Sequence, residues 1–191
     1  MKIKMLAILL SITLCITLTG CGSSNSNFLS NNLDSKYNTL GCSLNATQDY
    51  DRKGVTMSFA YNWIYDDDQY LQAYEIVVKV DIDPSTYEGN FDEDFEEARK
   101  NANKEIERYK NDLTTVSVDV DEKNHSISEI IRYDVTKMTE EDYNNNFEFV
   151  DSYSEYFSYQ NGKVYFNKNE YVKKIESYSS VHYNCSNKLF R

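Results

Sequence analysis

The chain has 191 residues, with 17 tyrosines, one tryptophan, a single proline and a formal net charge of −11. A surface this acidic repels phosphate backbones and anionic lipid headgroups, which excludes nucleic acid as a partner and flat adhesion to a membrane. The length suits one domain with an ordinary hydrophobic core.

The first element is a leader. Residues 1–21 read MKIKMLAILLSITLCITLTGC: a basic start at Lys2 and Lys4, then an uncharged and mostly apolar run from Met5 to Thr19. This is the layout of a secretory signal peptide. A membrane span needs roughly 20 apolar residues, and this run is shorter and interrupted by Ser11, Thr13, Thr17 and Thr19. Leu18-Thr19-Gly20-Cys21 matches the lipobox of a bacterial lipoprotein, in which the cysteine is acylated and the chain is cut before it. Diacylation of Cys21 supplies the two acyl chains that stable anchoring requires. The expectation is a leader over 1–20 and a lipid-anchored protein on the extracytoplasmic face of the cell membrane. Loss of Lys2 and Lys4 with the leader would take the charge from −11 to −13. Residues 21–37 follow as the lipidated cysteine and a flexible Ser/Asn-rich tether, and 38–191 as one domain.

Of the four cysteines, Cys15 leaves with the leader and Cys21 takes the lipid. Cys42 and Cys185 remain, an even pair in an oxidising compartment. Leu40, Cys42 and Leu44 share one face of an alternating strand, as do Val181, Tyr183 and Cys185. The expectation is a disulfide joining the first strand to the last.

Between them the period-2 signal is clear. Val55, Met57, Phe59, Tyr61, Trp63 and Tyr65 occupy every odd position of one strand, and Asp66-Asp67-Asp68-Gln69 makes a polar turn. Tyr74, Ile76, Val78, Val80 and Ile82 share one face of the next strand, with Glu75, Lys79 and Asp81 opposite, toward water or a partner. Asn90 with Glu93 resembles a capping box, and Phe91, Phe95, Ala98, Ala102, Ile106, Tyr109 and Leu113 then form the apolar stripe of a long helix. Val116, Val118 and Val120 begin a second hairpin, answered after Glu122-Lys123-Asn124 by Ile127, Ile131 and Tyr133, with Glu129 breaking the pattern. A short helical turn is expected at Thr139, a type I′ turn at Gln160-Asn161-Gly162-Lys163, and a second helix over Lys168 to Tyr178 capped by Asn167. Phe147 to Tyr159 mixes aromatics without a period. The order predicts an α+β fold, an antiparallel sheet of about five to six strands with one long and one shorter helix packed on one face.

A lipobox, an early cysteine, GVTMSFAYNWIYDDDQYLQAYEIVVKVDI, a central amphipathic helix, SISEIIRYDVTKMTEED and a closing NEYVKKIESYSSVHYNC follow one another in this chain. This pattern resembles the small lipoproteins of Firmicutes grouped with the YehR-like family of unknown function, over residues 40–143 and 167–187. The resemblance implies an α+β lipoprotein domain and supports pairing of Cys42 with Cys185. It carries over no catalytic or ligand residue, and it leaves 144–166 as an insertion.

No chemistry stands out. His125 and His182 are the only histidines and no G-x-S-x-G occurs, which leaves few members for a nucleophilic triad. His182-Tyr-Asn-Cys185 has the spacing of half a zinc site without a second half. Asp81-Ile-Asp83-Pro-Ser85 opens like a calcium loop but has Thr86 at the sixth place and Asp92 at the twelfth; Asp119-Val-Asp121 fails in the same way at Lys123. No catalytic, metal or cofactor residue is therefore assigned. Tyr153, Tyr156, Tyr159 and Tyr165 crowd the insertion, and rings in that number point to an exposed aromatic patch for a partner. The function expected is a non-catalytic, membrane-tethered domain that binds an envelope protein or glycan. The alternatives are an envelope hydrolase or accessory enzyme using a carboxylate pair, and a ligand-binding lipoprotein.

Overall fold

A computed structural model of the chain describes residues 36–46, 53–109, 112–146, 154–177 and 183–190. Cys21 and its lipobox, Tyr153, Tyr178, Val181 and His182 lie outside the described residues. The fold is α+β and mostly antiparallel. Six strands form the main sheet: β1 (Asn38–Ala46), β2 (Val55–Tyr65), β3 (Leu71–Ile82), β4 (Thr114–Asp121), β5 (Ser126–Asp134) and, late in the chain, β8 (Tyr183–Ser186). Their spatial order is β4-β5-β3-β2-β1-β8. A second, two-stranded sheet pairs β6 (Phe157–Gln160) with β7 (Lys163–Phe166). Among the described residues the helices are α1 (Phe91–Tyr109), α2 (Glu140–Asn146) and α3 (Lys168–Glu176).

The local signals act as their chemistry dictates. The Asn90 side-chain oxygen accepts from the Glu93 N–H (3.5 Å) while its amide donates to the Glu93 carboxylate (3.1 Å), closing the capping box of α1. Thr139 and Asp142 do the same for α2: the Asp142 N–H donates to Thr139 Oγ1 (3.1 Å) and the Thr139 N–H to Asp142 Oδ2 (2.9 Å). Asn167 caps α3 through the Glu170 N–H. Asn161 and Gly162 stand at φ 53° and 73°, the two positive angles that a type I′ hairpin demands. The long helix is described over Phe91–Tyr109, and Leu113, expected on its stripe, lies in a bend where its carbonyl accepts from the Asp134 N–H (2.7 Å).

The main core gathers the alternating faces of β2, β3 and β5 with Phe95 and Ala98 of α1 and Tyr171 and Ile175 of α3. Trp63 is its centre, only 3% exposed. Its ring lies 5.0 Å from Phe157, 5.4 Å from Phe166, 5.5 Å from Tyr171 and 5.6 Å from Tyr74. Aromatic side chains bury large areas and hold preferred tilted geometries, so this cluster welds β2 and β3 to the small sheet and to α3. The stretch 144–166, expected as an insertion, thus supplies Phe157, Val164 and Phe166 to the core itself.

The second face of the sheet departs from the alternating expectation. Glu75 was expected toward water or a partner, yet it is buried, as are Ala60, Asn62 and Ile64 of β2 and Ala73 and Val77 of β3. Part of the cover is the segment Lys188–Phe190, which lies against Gly41 and Asn62.

Candidate functional site

The structure divides the four tyrosines expected to form one patch. Tyr156 is a correction: its ring packs edge-on to Tyr171 at 6.0 Å and is almost wholly buried, because the turn before β6 folds into the core. Its hydroxyl donates to the neighbouring Glu155 carboxylate. Tyr159 lies on the core side of β6 and is half-buried, 5.9 Å from the Tyr143 ring. Tyr165 lies on the other side of the hairpin, where it meets a residue that the sequence reading passed over. Its ring stands edge-on to Tyr70 at 5.9 Å, and the two residues form a main-chain bridge. Around this pair, Gln69 Nε2 donates to the Tyr165 hydroxyl (3.2 Å) and Asn161 Nδ2 to the Tyr70 hydroxyl (3.5 Å), while the Lys163 ammonium sits 5.2 Å from the centre of the Tyr70 ring. Both residues are half-buried. Asp66 fixes the loop, its Oδ1 accepting from the Tyr70 N–H (2.9 Å) and the Asp68 N–H (3.1 Å).

The acidic segments gather at the opposite end of β3. Asp81 of β3 and Asp121 of β4 both register with Ser126 of β5. Beside them a cleft of about 500 Å³ is lined by Asp81, Asp83, Thr86, Lys123, Asn124 and His125 among others. Gly54 borders it at φ +85°, with the Tyr87 N–H nitrogen 2.7 Å from where a Cβ would stand, so only glycine fits there. Its carboxylates are tied locally. Asp83 accepts from the Ser85 hydroxyl (2.6 Å), the Ser85 N–H (2.9 Å) and the Thr86 hydroxyl (3.0 Å); the Ser85 hydroxyl foremost holds its pKa below the ordinary carboxylate range. Asp121 is likewise lowered, first by the Asn124 side-chain amide. A general acid needs a shift in the other direction. Among the described residues, no group of three His, Cys, Asp or Glu side chains is placed to hold a metal ion. His125 stands at φ 53° with its ring edge-on to Phe91 at 4.9 Å.

Cys42 and Cys185 form a disulfide, joining directly paired positions of β1 and β8. Tyr61, in register with Cys42 on its other side, has its hydroxyl pKa pushed up to about 12, by burial first and by the neighbouring Tyr183 second. The folded state therefore keeps a proton between pH 10 and 12 that the unfolded chain releases. This contribution to stability is complete below pH 10 and is lost as pH rises through about 12. Unfolding midpoints measured in urea from pH 9 to 11.5 are expected to fall less steeply in Tyr61→Phe than in the parent chain.

Behind β2 lies a polar network invisible to periodicity. Arg132 of β5 donates from Nη1 to Glu75 Oε1 (2.7 Å), and both side chains are almost completely buried. Asn62 Nδ2 donates to Glu75 Oε2 (2.9 Å) and to the Phe190 carbonyl (2.8 Å), while its Oδ1 accepts from the Phe190 N–H (2.9 Å). The only advance signal was register: an acidic residue on β3 and a basic one on β5, directly paired once the strands align.

No protein-family model and no curated protein sequence matches the chain. Among solved structures, an NMR structure of a protein from Streptococcus pneumoniae TIGR4 is similar at 11% identity and a TM-score of 0.28, over 62% of this chain and 68% of that one.

Proposed function

We propose that the protein is a lipid-anchored domain on the extracytoplasmic face of the cell membrane, held by Cys21, that binds an envelope protein or glycan and performs no catalysis. The resemblance to the YehR-like lipoproteins belongs to this reading. In it the long helix α1 and the shorter α3 cover one face of the main sheet, since both feed the same buried cluster. Partner binding then falls to the rim where the β2–β3 turn meets the β6–β7 hairpin. The carrying observation is the half-buried Tyr70–Tyr165 pair, edged by Lys163, Gln69 and Asn161. Aromatic rings beside amides and a cation suit a surface that is apolar in its body and polar at its edges. In the cleft, Asp83 is lowered by its Ser85 and Thr86 donors, which favours binding over acid catalysis there.

The test uses the full chain on cells, where Cys21→Ala is expected to shift it out of the membrane fraction. Chemical cross-linking on intact cells captures protein partners, and co-sedimentation of the detergent-solubilised chain with isolated cell-wall peptidoglycan captures glycan binding. Tyr70→Ala with Tyr165→Ala is expected to lower one of the two signals about tenfold, a loss of roughly 1.4 kcal/mol. Both signals unchanged in the double variant would rule the patch out.

A further inference from the structure

The segment Asn187–Phe190 does more than end the visible fold. Asn62 pairs its side-chain amide with the N–H and the C=O of Phe190 together, at 2.9 and 2.8 Å. That pairing reads main chain and is blind to the side chain. The third bond, from Asn62 Nδ2 to Glu75, anchors the amide against the buried Glu75–Arg132 pair. Gly41 makes room: a Cβ there would stand 2.2 Å from the Lys188 carbonyl oxygen and 2.7 Å from the Phe190 ring. Gly41 and Asn62 thus form a seat for extended backbone, and residues 188–190 fill it.

What holds the occupant lies just upstream. Among the described residues the ladder of β8 with β1 runs from Gly41 to Leu44, at one edge of the main sheet, and edge elements open more readily than central strands. Beyond it, the Thr39 hydroxyl donates to the Asn187 carbonyl (3.0 Å) and the Lys168 ammonium to Asn187 Oδ1 (3.0 Å). The covalent tie is Cys42–Cys185, in the middle of the ladder.

We infer that Gly41 and Asn62 form a main-chain-binding seat whose occupant is kept in place by the Cys42–Cys185 disulfide, so that thiol–disulfide exchange with a dithiol opens it. Cys42 is fully buried and Cys185 half-buried, so the attacking thiolate reaches the Cys185 sulfur. The Cys42–Cys185 bond breaks, Cys42 departs as a thiolate and takes a proton, and a mixed disulfide forms at Cys185. The second thiol of the dithiol then displaces Cys185, which also ends as a thiol, and the dithiol leaves as a cyclic disulfide. Two electrons and two protons pass to the protein. With β8 loosened the strap leaves, and Asn62 and the Glu75 carboxylate behind it are exposed to water or to another extended segment.

Amide hydrogen exchange on the full chain in detergent, with and without dithiothreitol, tests this. In the oxidised chain the Phe190 amide is protected. After reduction, Phe190 and β8 are expected to exchange at least about tenfold faster than β3 and β5, which still open only with the whole domain, the pattern of local rather than global opening. In oxidised Asn62→Ala, Phe190 alone is expected to lose protection and β8 to keep it. Unchanged protection of Phe190 on reduction, or exchange of Phe190 and β8 at the same rate as β3 and β5 in the reduced chain, would overturn the gating. Retained protection in Asn62→Ala would overturn the seat.

Discussion

Replacing Arg132 by Met is expected to lower the free energy of unfolding by about 3–5 kcal/mol, the usual result of leaving a buried charge without its partner. The Arg132 guanidinium lies 2.7 Å from Glu75, and the two side chains are 3% and 0% exposed. In the single variant the Glu75 carboxylate keeps the Asn62 amide but loses its counter-charge, in a place where water cannot replace it. The carboxylate would then take up a proton or the second face would open. Pairing the change with Glu75→Leu is expected to restore most of the loss, because two apolar groups of similar volume need no desolvated charge. Trp63, the only tryptophan, sits at the centre of the core, so its fluorescence in a urea titration reports the transition. A double-mutant cycle on these two positions isolates the coupling. A loss under about 1 kcal/mol for Arg132→Met would show a solvated pair of the surface type.

The second large effect is at the disulfide. Cys42→Ala with Cys185→Ala is expected to cost about 2–5 kcal/mol, toward the upper end because the bond spans 143 positions of sequence and closes a long loop in the unfolded chain. For a domain of this size that corresponds to a fall in Tm of about 5–15 °C, read by the same fluorescence or by calorimetry. The spectrum of the folded variant at 25 °C is expected to match the parent's, since the ring contacts that hold Trp63 come from Tyr74, Phe157, Phe166 and Tyr171 and not from either cysteine. A Tm within about 2 °C of the parent would mean that the bond adds nothing to the stability of the core.

Strands and caps were legible because their causes are local. The odd-numbered apolar positions of Val55 to Tyr65 needed only the two-residue period of a strand, and the structure places a strand over those same residues. Asn90, Thr139 and Asn167 marked helix starts because a side-chain oxygen beside a free N–H satisfies it wherever the chain lies. Asn161-Gly162 dictated its turn by backbone conformation alone. The stretch 147–159 was illegible for the converse reason. β6 is only Phe157–Gln160, too short for a period to show. Tyr156 looked available as a surface ring because its burial depends on Tyr171 of α3, which no local pattern connects to it.

The candidate site follows the same division. Tyr165 could be singled out as a surface aromatic, but Tyr70, its neighbour in space, lies 95 positions earlier at the end of a polar turn. The cleft carboxylates were visible as clusters, but that Asp83 is tied by Ser85 and Thr86 is a matter of turn geometry that only the structure shows.

By itself, the sequence determined the long strands of the main sheet, the helix starts, the hairpin turn and the expectation that Cys42 meets Cys185, since each rests on residues within a few positions of one another or on elimination among four cysteines. The tertiary structure alone decided that the second face of the sheet is buried. Glu75 alternates as a surface residue should, and only antiparallel pairing sets Arg132 beside it. The return of Lys188–Phe190 across Gly41 and Asn62 adds part of the cover on that face. Alternation records which side of a strand a residue faces; what covers that side is settled by chain that arrives more than a hundred residues later.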